Sequence, residues 1–200
     1  MLLRAGLGSA VLRAASLALT LLGSVLLART LGPSQLGLYA FAIAVVGIAG
    51  LPVHMGLPTL VLRETARAEA GRHWSRMHSI WRWAGRRIVT ACCVVVPLVA
   101  AGGWLLRDSL PTGSLPSLLL GLGLIPIIAL ALLRGAALRG LHRPILCQLP
   151  EALLRPGGFA LLLGLALLLG APLSATAAIG LQLLAAALAF AIGAALLLRA

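Results

Sequence analysis

LLARTLGPSQLGLYAF, residues 26–41, lies between two strongly apolar stretches and decides how they are connected. Gly32 can take the left-handed conformation that ends a helix, and Pro33, which has a fixed φ and no N–H, suits the first position of the next helix. Arg29 and Tyr39 flank this turn, where a long charged side chain and an amphipathic ring are both tolerated at headgroup depth. The stretch therefore predicts a tight hairpin between two membrane-spanning helices.

Composition indicates the solvent in which the chain folds. Hydrophobic residues make up 61% of its 200 residues and charged residues only 10%, whereas soluble domains carry about 25% charged residues. The chain therefore lacks the polar surface that a soluble fold needs, and the sequence predicts a polytopic membrane protein.

Apolar runs long enough to cross a hydrocarbon core about 30 Å thick recur six times along the chain. They cover approximately residues 8–28, 36–62, 88–106, 115–134, 153–170 and 175–198. We therefore expect an all-α fold in which residues 1–200 form a single bundle of six membrane-spanning helices. Small residues within the runs let helices approach closely, as packing in lipid requires.

All sixteen basic residues are arginines, and their distribution predicts the orientation of the chain. If the N-terminus is cytoplasmic, fourteen of them fall on the cytoplasmic side or at its span margins, and only Arg29 and Arg107 fall outside. The fourteen are Arg4, Arg13, Arg63, Arg67, Arg72, Arg76, Arg82, Arg86, Arg87, Arg134, Arg139, Arg143, Arg155 and Arg199. The positive-inside rule predicts this asymmetry, so we expect both termini in the cytoplasm. Orientation and anionic lipid explain the net charge of +12, and we expect no nucleic-acid partner.

Residues 63–87 form a basic cytoplasmic segment between the second and third predicted spans. Apolar residues recur within it at three- and four-residue spacing, which predicts an amphipathic helix lying on anionic lipid. The stripe consists of Trp74, Met77, Trp81, Ala84 and Ile88.

Three further segments carry a resemblance to a known family. They are ARTLGPSQLGLYAFAIAV (residues 28–45), GLPTLVLRETAR (56–67) and LRGLHRPILCQLPEALLRPGGFAL (138–161). In order and spacing they are similar to the N-terminal half of the bacterial oligosaccharide flippases, which export O-antigen and capsule repeat units for lipopolysaccharide and capsule synthesis. The same superfamily holds multidrug exporters and peptidoglycan lipid flippases.

The resemblance implies transport of a lipid-linked oligosaccharide from the cytoplasmic to the outer leaflet of the bacterial inner membrane. The cargo would pass through a cavity between two helix bundles. Because family members typically have about twice as many spans, this chain would be one lobe, a truncated or half-size transporter. Its partners would be membrane lipid, the pyrophosphate-linked oligosaccharide and a second six-span lobe, supplied by another chain or by self-association.

Polar residues inside predicted spans are candidate substrate-binding residues, because a charge there costs at least about 2.5 kcal/mol on insertion scales. Arg13 lies near the cytoplasmic end of the first span, where it would either pair with a pyrophosphate or extend to the headgroups. His54 lies between Pro52 and Pro58 near the middle of the second span. It would contact substrate, relay a proton, or bond to a carbonyl that the prolines leave without a helical partner.

Two further arginines extend the fourth predicted span into its cytoplasmic margin. Arg134 and Arg139, in LLRGAALRGLHRP, would either bind the diphosphate at the mouth of the cavity or serve only as topology anchors.

The acidic residues distinguish two kinds of transporter. A cation-coupled multidrug exporter is expected to place a carboxylate inside the membrane. The sequence predicts none there, because its four acidic residues fall in loops or margins: Glu64, Glu69 and Glu151 on the cytoplasmic side and Asp108 outside. A cavity lined by arginine and histidine suits a phosphate-bearing substrate better, and an exporter lobe is the alternative.

Enzyme chemistry usually needs paired carboxylates, a metal site or an activated nucleophile. The acidic residues are scattered, and no Cys/His cluster has the spacing of a zinc site. We therefore expect no enzyme activity, no catalytic residue, no cofactor and no metal. A non-transporting membrane subunit of a polysaccharide assembly complex shares these features and stays open as a further alternative.

Overall fold

The computed structural model describes residues 2–141, 144–170 and 172–198, and within these ranges the chain is helical without strands. The elements are α1 (Leu2–His54), α2 (Leu57–Ala70), α3 (Trp74–Leu105), α4 (Ser114–Leu122), α5 (Leu124–Gly140), α6 (Pro144–Leu149), a π-helix (Pro150–Leu154), α7 (Arg155–Leu168) and α8 (Ala175–Leu198). Arg143, Arg199 and the side chain of Arg4, which contribute to the predicted orientation, lie outside what the structure describes.

Five segments within the described residues are long and apolar enough to cross a membrane. They are Ala10–His54, Trp74–Leu105, Ser114–Gly140, Cys147–Leu168 and Ala175–Ala195. A helix of about 20 apolar residues is sufficient to span the hydrocarbon core. The all-α class that the sequence predicts is confirmed, and the chain is a multi-pass membrane protein.

The chain reverses direction inside α1, at the position that the opening stretch predicts. Gly32 has φ 70° and ψ 171°, which are not helical values and favour glycine. Tyr39 and Ser24 line one cavity, although a straight helix would separate them by about 22 Å. We call residues 2–31 arm 1 and residues 33–54 arm 2; the two arms are antiparallel.

A second break separates arm 2 from α2. Gly56 adopts φ 72° at the N-cap of α2, and Pro58 lies in the first turn, where its missing N–H removes no helical bond. The predicted span over residues 36–62 is therefore interrupted next to His54, and α2 continues the chain against α3 and α5.

Residues 74–87 belong to the long helix α3, and their apolar stripe packs on protein. Met77, Ala84 and Ile88 are buried, and the Trp81 indole Nε1 donates a hydrogen bond to Thr65 Oγ1 in α2 at 2.9 Å. From Met77 to Ile88 the stripe therefore contacts α2 and the core where the sequence predicted contact with lipid, whereas Trp74 is 52% exposed. The arginines of this segment remain exposed: Arg72, which precedes α3, and Arg76, Arg82, Arg86 and Arg87 within it.

The core between arm 2, α2, α3 and α5 requires a close approach of two helices at Gly140. A Cβ atom on Gly140 would lie 2.7 Å from Thr65 Cβ and 3.1 Å from the Leu62 carbonyl oxygen. Neither of these atoms can rotate out of the way, because one belongs to the backbone and the other is attached directly to it. Glycine at this position therefore sets the distance between α2 and α5.

Gly140→Ala should lower the free energy of unfolding by about 1–3 kcal/mol, because the added methyl group forces α2 and α5 apart. Gly164→Ala is the matched control, since a Cβ atom there meets nothing within 4 Å inside the apolar helix α7. Thermal unfolding in detergent micelles measures both. Equal unfolding midpoints for the two variants would contradict the close approach.

Candidate functional site

Four polar residues form a stripe along arm 1. Arg13, Ser16, Thr20 and Ser24 follow one another at three- and four-residue spacing, which places them on one helix face. The Thr20 and Ser24 hydroxyls donate to the carbonyl oxygens of Ser16 and Leu21 at 2.8 and 2.9 Å, so their own oxygens remain available as acceptors. Sequence reasoning selected only Arg13, although the spacing of the other three was a readable signal.

Two cavities lie along this stripe. The first, which we call the arginine cavity, has a volume of about 700 Å³ and is lined by Arg13 and Arg139. The second, the hydroxyl cavity, has a volume of about 320 Å³ and lies farther along arm 1. Its polar and aromatic lining consists of Thr20, Ser24, Tyr39, Arg155, Phe159 and Gln182. Ser16 and Glu151 line both cavities, so the two cavities adjoin, and we call them together the polar groove.

The chemistry of the groove changes along its length. At the arginine cavity, guanidinium groups offer several N–H donors that suit a phosphate or carboxylate. At the hydroxyl cavity, hydroxyl and amide groups provide both donors and acceptors, and the Tyr39 hydroxyl donates to Gln182 Oε1 across the space between arm 2 and α8. The groove therefore suits a ligand that is anionic at one end and rich in hydroxyl groups at the other.

The structure brings two of the four predicted site residues together. Arg13 and Arg139 come from helices far apart in sequence and are both exposed on the wall of the arginine cavity. The Arg139 Nε donates to the Gly135 carbonyl oxygen at 3.2 Å. A ligand role for either residue remains a prediction.

Arg134 occupies a different environment, because its side chain is only 4% exposed. Its Nη1 donates to the Phe190 carbonyl oxygen at 2.8 Å and its Nη2 to Glu151 Oε1 at 3.3 Å. These bonds connect α5 to α8 and to the π-helix. The guanidinium is thus engaged by acceptors within the protein.

Gly193 provides the space for this buried guanidinium. A Cβ atom on Gly193 would lie 2.3 Å from Arg134 Cζ. The arginine cannot move aside at little cost, because it is buried and held by its acceptors. Sequence reasoning missed this pair, since nothing in the spacing of two residues on different helices indicates that they touch.

The expectation that no carboxylate lies within the spanning helices is wrong for Glu151. It belongs to the π-helix inside the candidate span Cys147–Leu168, and its carboxylate lines both cavities. The nearby prolines favour a loop when the sequence is considered alone. In the structure, Pro144 begins α6, and the chain stays helical through Pro150 and Pro156.

His54 lies outside the groove. It is the last residue of α1, is half-buried, and stands beside the break at Gly56. Neither cavity of the groove includes it. Its predicted role in substrate contact or proton relay is therefore separate from the site described here and stays a prediction.

Comparison with known proteins places the chain in a family. A family model described as polysaccharide biosynthesis protein matches residues 6–200, which include the whole groove. The chain belongs to the polysaccharide biosynthesis protein family. No curated protein and no solved structure matches it.

Gly193→Ala should destabilise the protein by about 2–4 kcal/mol, because it displaces the buried Arg134 from its acceptors. In an Arg134→Met background, the same substitution should change the stability by less than about 0.5 kcal/mol, since the clashing group is gone. Thermal unfolding of the four proteins in the cycle measures this coupling. Additive effects would show that Arg134 does not occupy the space at Gly193.

Proposed function

We propose that this protein moves a lipid-linked oligosaccharide across the bacterial inner membrane, as one six-span lobe of a two-lobe flippase. Membership of the polysaccharide biosynthesis family supports the pathway. The observation that carries the transport proposal is the polar groove, because a lipid-linked oligosaccharide is anionic at its diphosphate and rich in hydroxyl groups at its sugars.

The arrangement of the groove supports a defined pose for this cargo. Arg13 and Arg139 would bind the diphosphate through charge-assisted hydrogen bonds. The first sugars would extend into the hydroxyl cavity, where Ser24, Tyr39 and Gln182 can exchange hydrogen bonds with hydroxyl groups. The lipid chain would stay in the hydrocarbon, so only the polar head group needs shielding.

The reversal at Gly32 supports a count of six spans. The candidate span Ala10–His54 contains 45 residues, about twice the length that one crossing needs. Counting its two antiparallel arms separately gives six crossings and places both termini on one side. Arg13, Arg134 and Arg139 then share the end of the bundle that the positive-inside rule assigns to the cytoplasm.

The exposure of arm 1 supports a second lobe. Thr20 and Ser24 are exposed along a helix that crosses the membrane, and polar side chains in spans normally face protein or a water-filled cavity. A partner lobe, from another chain or a second copy, would cover this face and close the groove. Rocking of the two lobes around the bound head group would then give alternating access.

Glu151 is a point in favour of the alternative function, a cation-coupled exporter, because such an exporter is expected to place a carboxylate inside the membrane. Its carboxylate, however, lies 3.3 Å from Arg134 Nη2 and 3.6 Å from Arg155 Nη1. Two guanidinium groups around one carboxylate leave a net positive charge, which repels a cationic drug and attracts a phosphate. We therefore prefer the anionic lipid as substrate.

Proteoliposomes containing the purified protein test the proposal with a fluorescent polyprenyl diphosphate oligosaccharide. The wild type should carry the lipid from one leaflet to the other, and Arg13→Gln with Arg139→Gln should slow transport at least tenfold, because the diphosphate loses its donors. Arg82→Gln is the matched control, since Arg82 is exposed on α3 and lines neither cavity.

Other outcomes identify the alternatives. Binding of the labelled lipid without transport would indicate either a non-transporting subunit or a lobe that needs a second lobe from another chain. Transport of an organic cation alone would indicate an exporter lobe. His54→Ala in the same assay tests the remaining predicted residue. Slower transport in that variant would extend the site beyond the groove.

A further inference from the structure

Glu151 stands between two arginines that the protein holds very differently. The side chain of Arg134 is 4% exposed and has backbone acceptors on α8 in addition to Glu151. The side chain of Arg155 is 28% exposed and lines the hydroxyl cavity. Among the described residues, Glu151 is the one ion-pair partner of Arg155, at 3.6 Å from its Nη1. One arginine is thus fixed in the core and the other is loosely held at the cavity wall.

Arg155 lines the hydroxyl cavity, next to the junction of the two cavities. It follows Glu151 by one helical turn, and Glu151 and Ser16 are the residues that the cavities share. A ligand with its charge in the arginine cavity and its hydroxyl groups in the hydroxyl cavity must pass this point. Arg155 therefore lies where the diphosphate of the proposed cargo would join its first sugar.

A diphosphate is a stronger partner for Arg155 than the carboxylate it already has. It carries more negative charge, and phosphate oxygens accept two parallel hydrogen bonds from one guanidinium. The present contact between Arg155 and Glu151 is longer than such a bond. The Glu151 carboxylate also has an alternative partner, since Arg134 Nη2 already donates to it at 3.3 Å.

The backbone around Glu151 is of a kind that adjusts locally. Residues 150–154 form a π-helix between two α-helical segments, and single π turns inside α-helices occur frequently at functional sites. Glu151 thus lies on a turn that departs from the regular α-helix, and it already contacts Arg134 through Oε1 while it contacts Arg155 through Oε2.

We infer that Arg155 is a further diphosphate-binding residue of the groove and that Glu151 occupies its guanidinium until the ligand arrives. This inference rests on the proposed function. In the empty groove, Glu151 partly neutralises the charge of Arg155. When a lipid diphosphate enters, the diphosphate binds Arg155, and Glu151 keeps only its contact with Arg134. Glu151 is a positioning residue that competes with the cargo, and it lowers the affinity so that cargo can also leave.

Binding of geranylgeranyl diphosphate to the full chain in nanodiscs tests the inference. Glu151→Gln should tighten binding three- to tenfold, because the neutral amide still accepts from Arg134 but no longer competes for Arg155. Arg155→Gln should weaken binding at least fivefold. The double variant Glu151→Gln, Arg155→Gln should bind as weakly as Arg155→Gln alone, since Glu151 acts through Arg155.

Glu64→Gln provides the matched control. Glu64 also has two arginine partners, Arg67 at 2.8 Å and Arg76 at 3.4 Å, but it lines neither cavity. Its substitution removes the same charge from the protein and should leave binding unchanged. Geranylgeraniol, which lacks the diphosphate, should bind the wild type and the Glu151→Gln variant equally.

The outcomes separate this inference from the proposed function. If the wild type does not prefer the diphosphate to geranylgeraniol, the proposed substrate class fails and the inference fails with it. If the wild type prefers the diphosphate but Glu151→Gln binds no more tightly, only the inference is overturned. A lower unfolding temperature for Glu151→Gln without tighter binding would assign Glu151 a structural role alone.

Discussion

The burial of Arg134 is the constraint on which the packing of α5, α8 and the π-helix depends. A guanidinium removed from water must find acceptors for its N–H groups, or the cost of burying the charge is not offset. The two terminal nitrogens of Arg134 find them in α8 and in the π-helix, while its buried Nε has no acceptor among the described residues, and Gly193 leaves room for the side chain. One charged side chain thereby fixes the positions of three elements, and those elements form part of the groove wall.

The groove is the consequence of a second constraint, the cost of exposing polar groups to lipid. Arm 1 carries four polar residues on one face, and arm 2, the π-helix, α7 and α8 line the hydroxyl cavity beside them, while Arg13, Thr20 and Ser24 stay exposed. The result is graded: guanidinium groups at one end and hydroxyl groups at the other, with Glu151 at the junction. The Glu151 carboxylate takes part in both constraints, because it forms one ion pair with the buried Arg134 and another with the more exposed Arg155.

Several features were predictable from sequence because they depend on neighbouring residues or on composition. The Gly32–Pro33 pair predicted the reversal, since only a few residues favour a positive φ followed by a helix start. The scarcity of charge predicted a membrane protein. Arg13 and Arg139 were candidate substrate-binding residues, and a ligand role for them stays a prediction. The stripe of Ser16, Thr20 and Ser24 was equally local, but isolated hydroxyl groups in apolar helices are a weak signal.

The sequence by itself determined the solvent, the helical class and the first hairpin, because hydropathy and backbone conformation act over short distances along the chain. Only the tertiary structure decided which arginine is buried and which faces a cavity, that the stripe of α3 meets α2 instead of lipid, and that Glu151 lies on a helix within the groove. These depend on contacts between residues far apart in sequence, such as Arg134 with Gly193 and Thr65 with Trp81. Such contacts follow from how helices pack, and helix packing leaves no periodic mark in a single sequence.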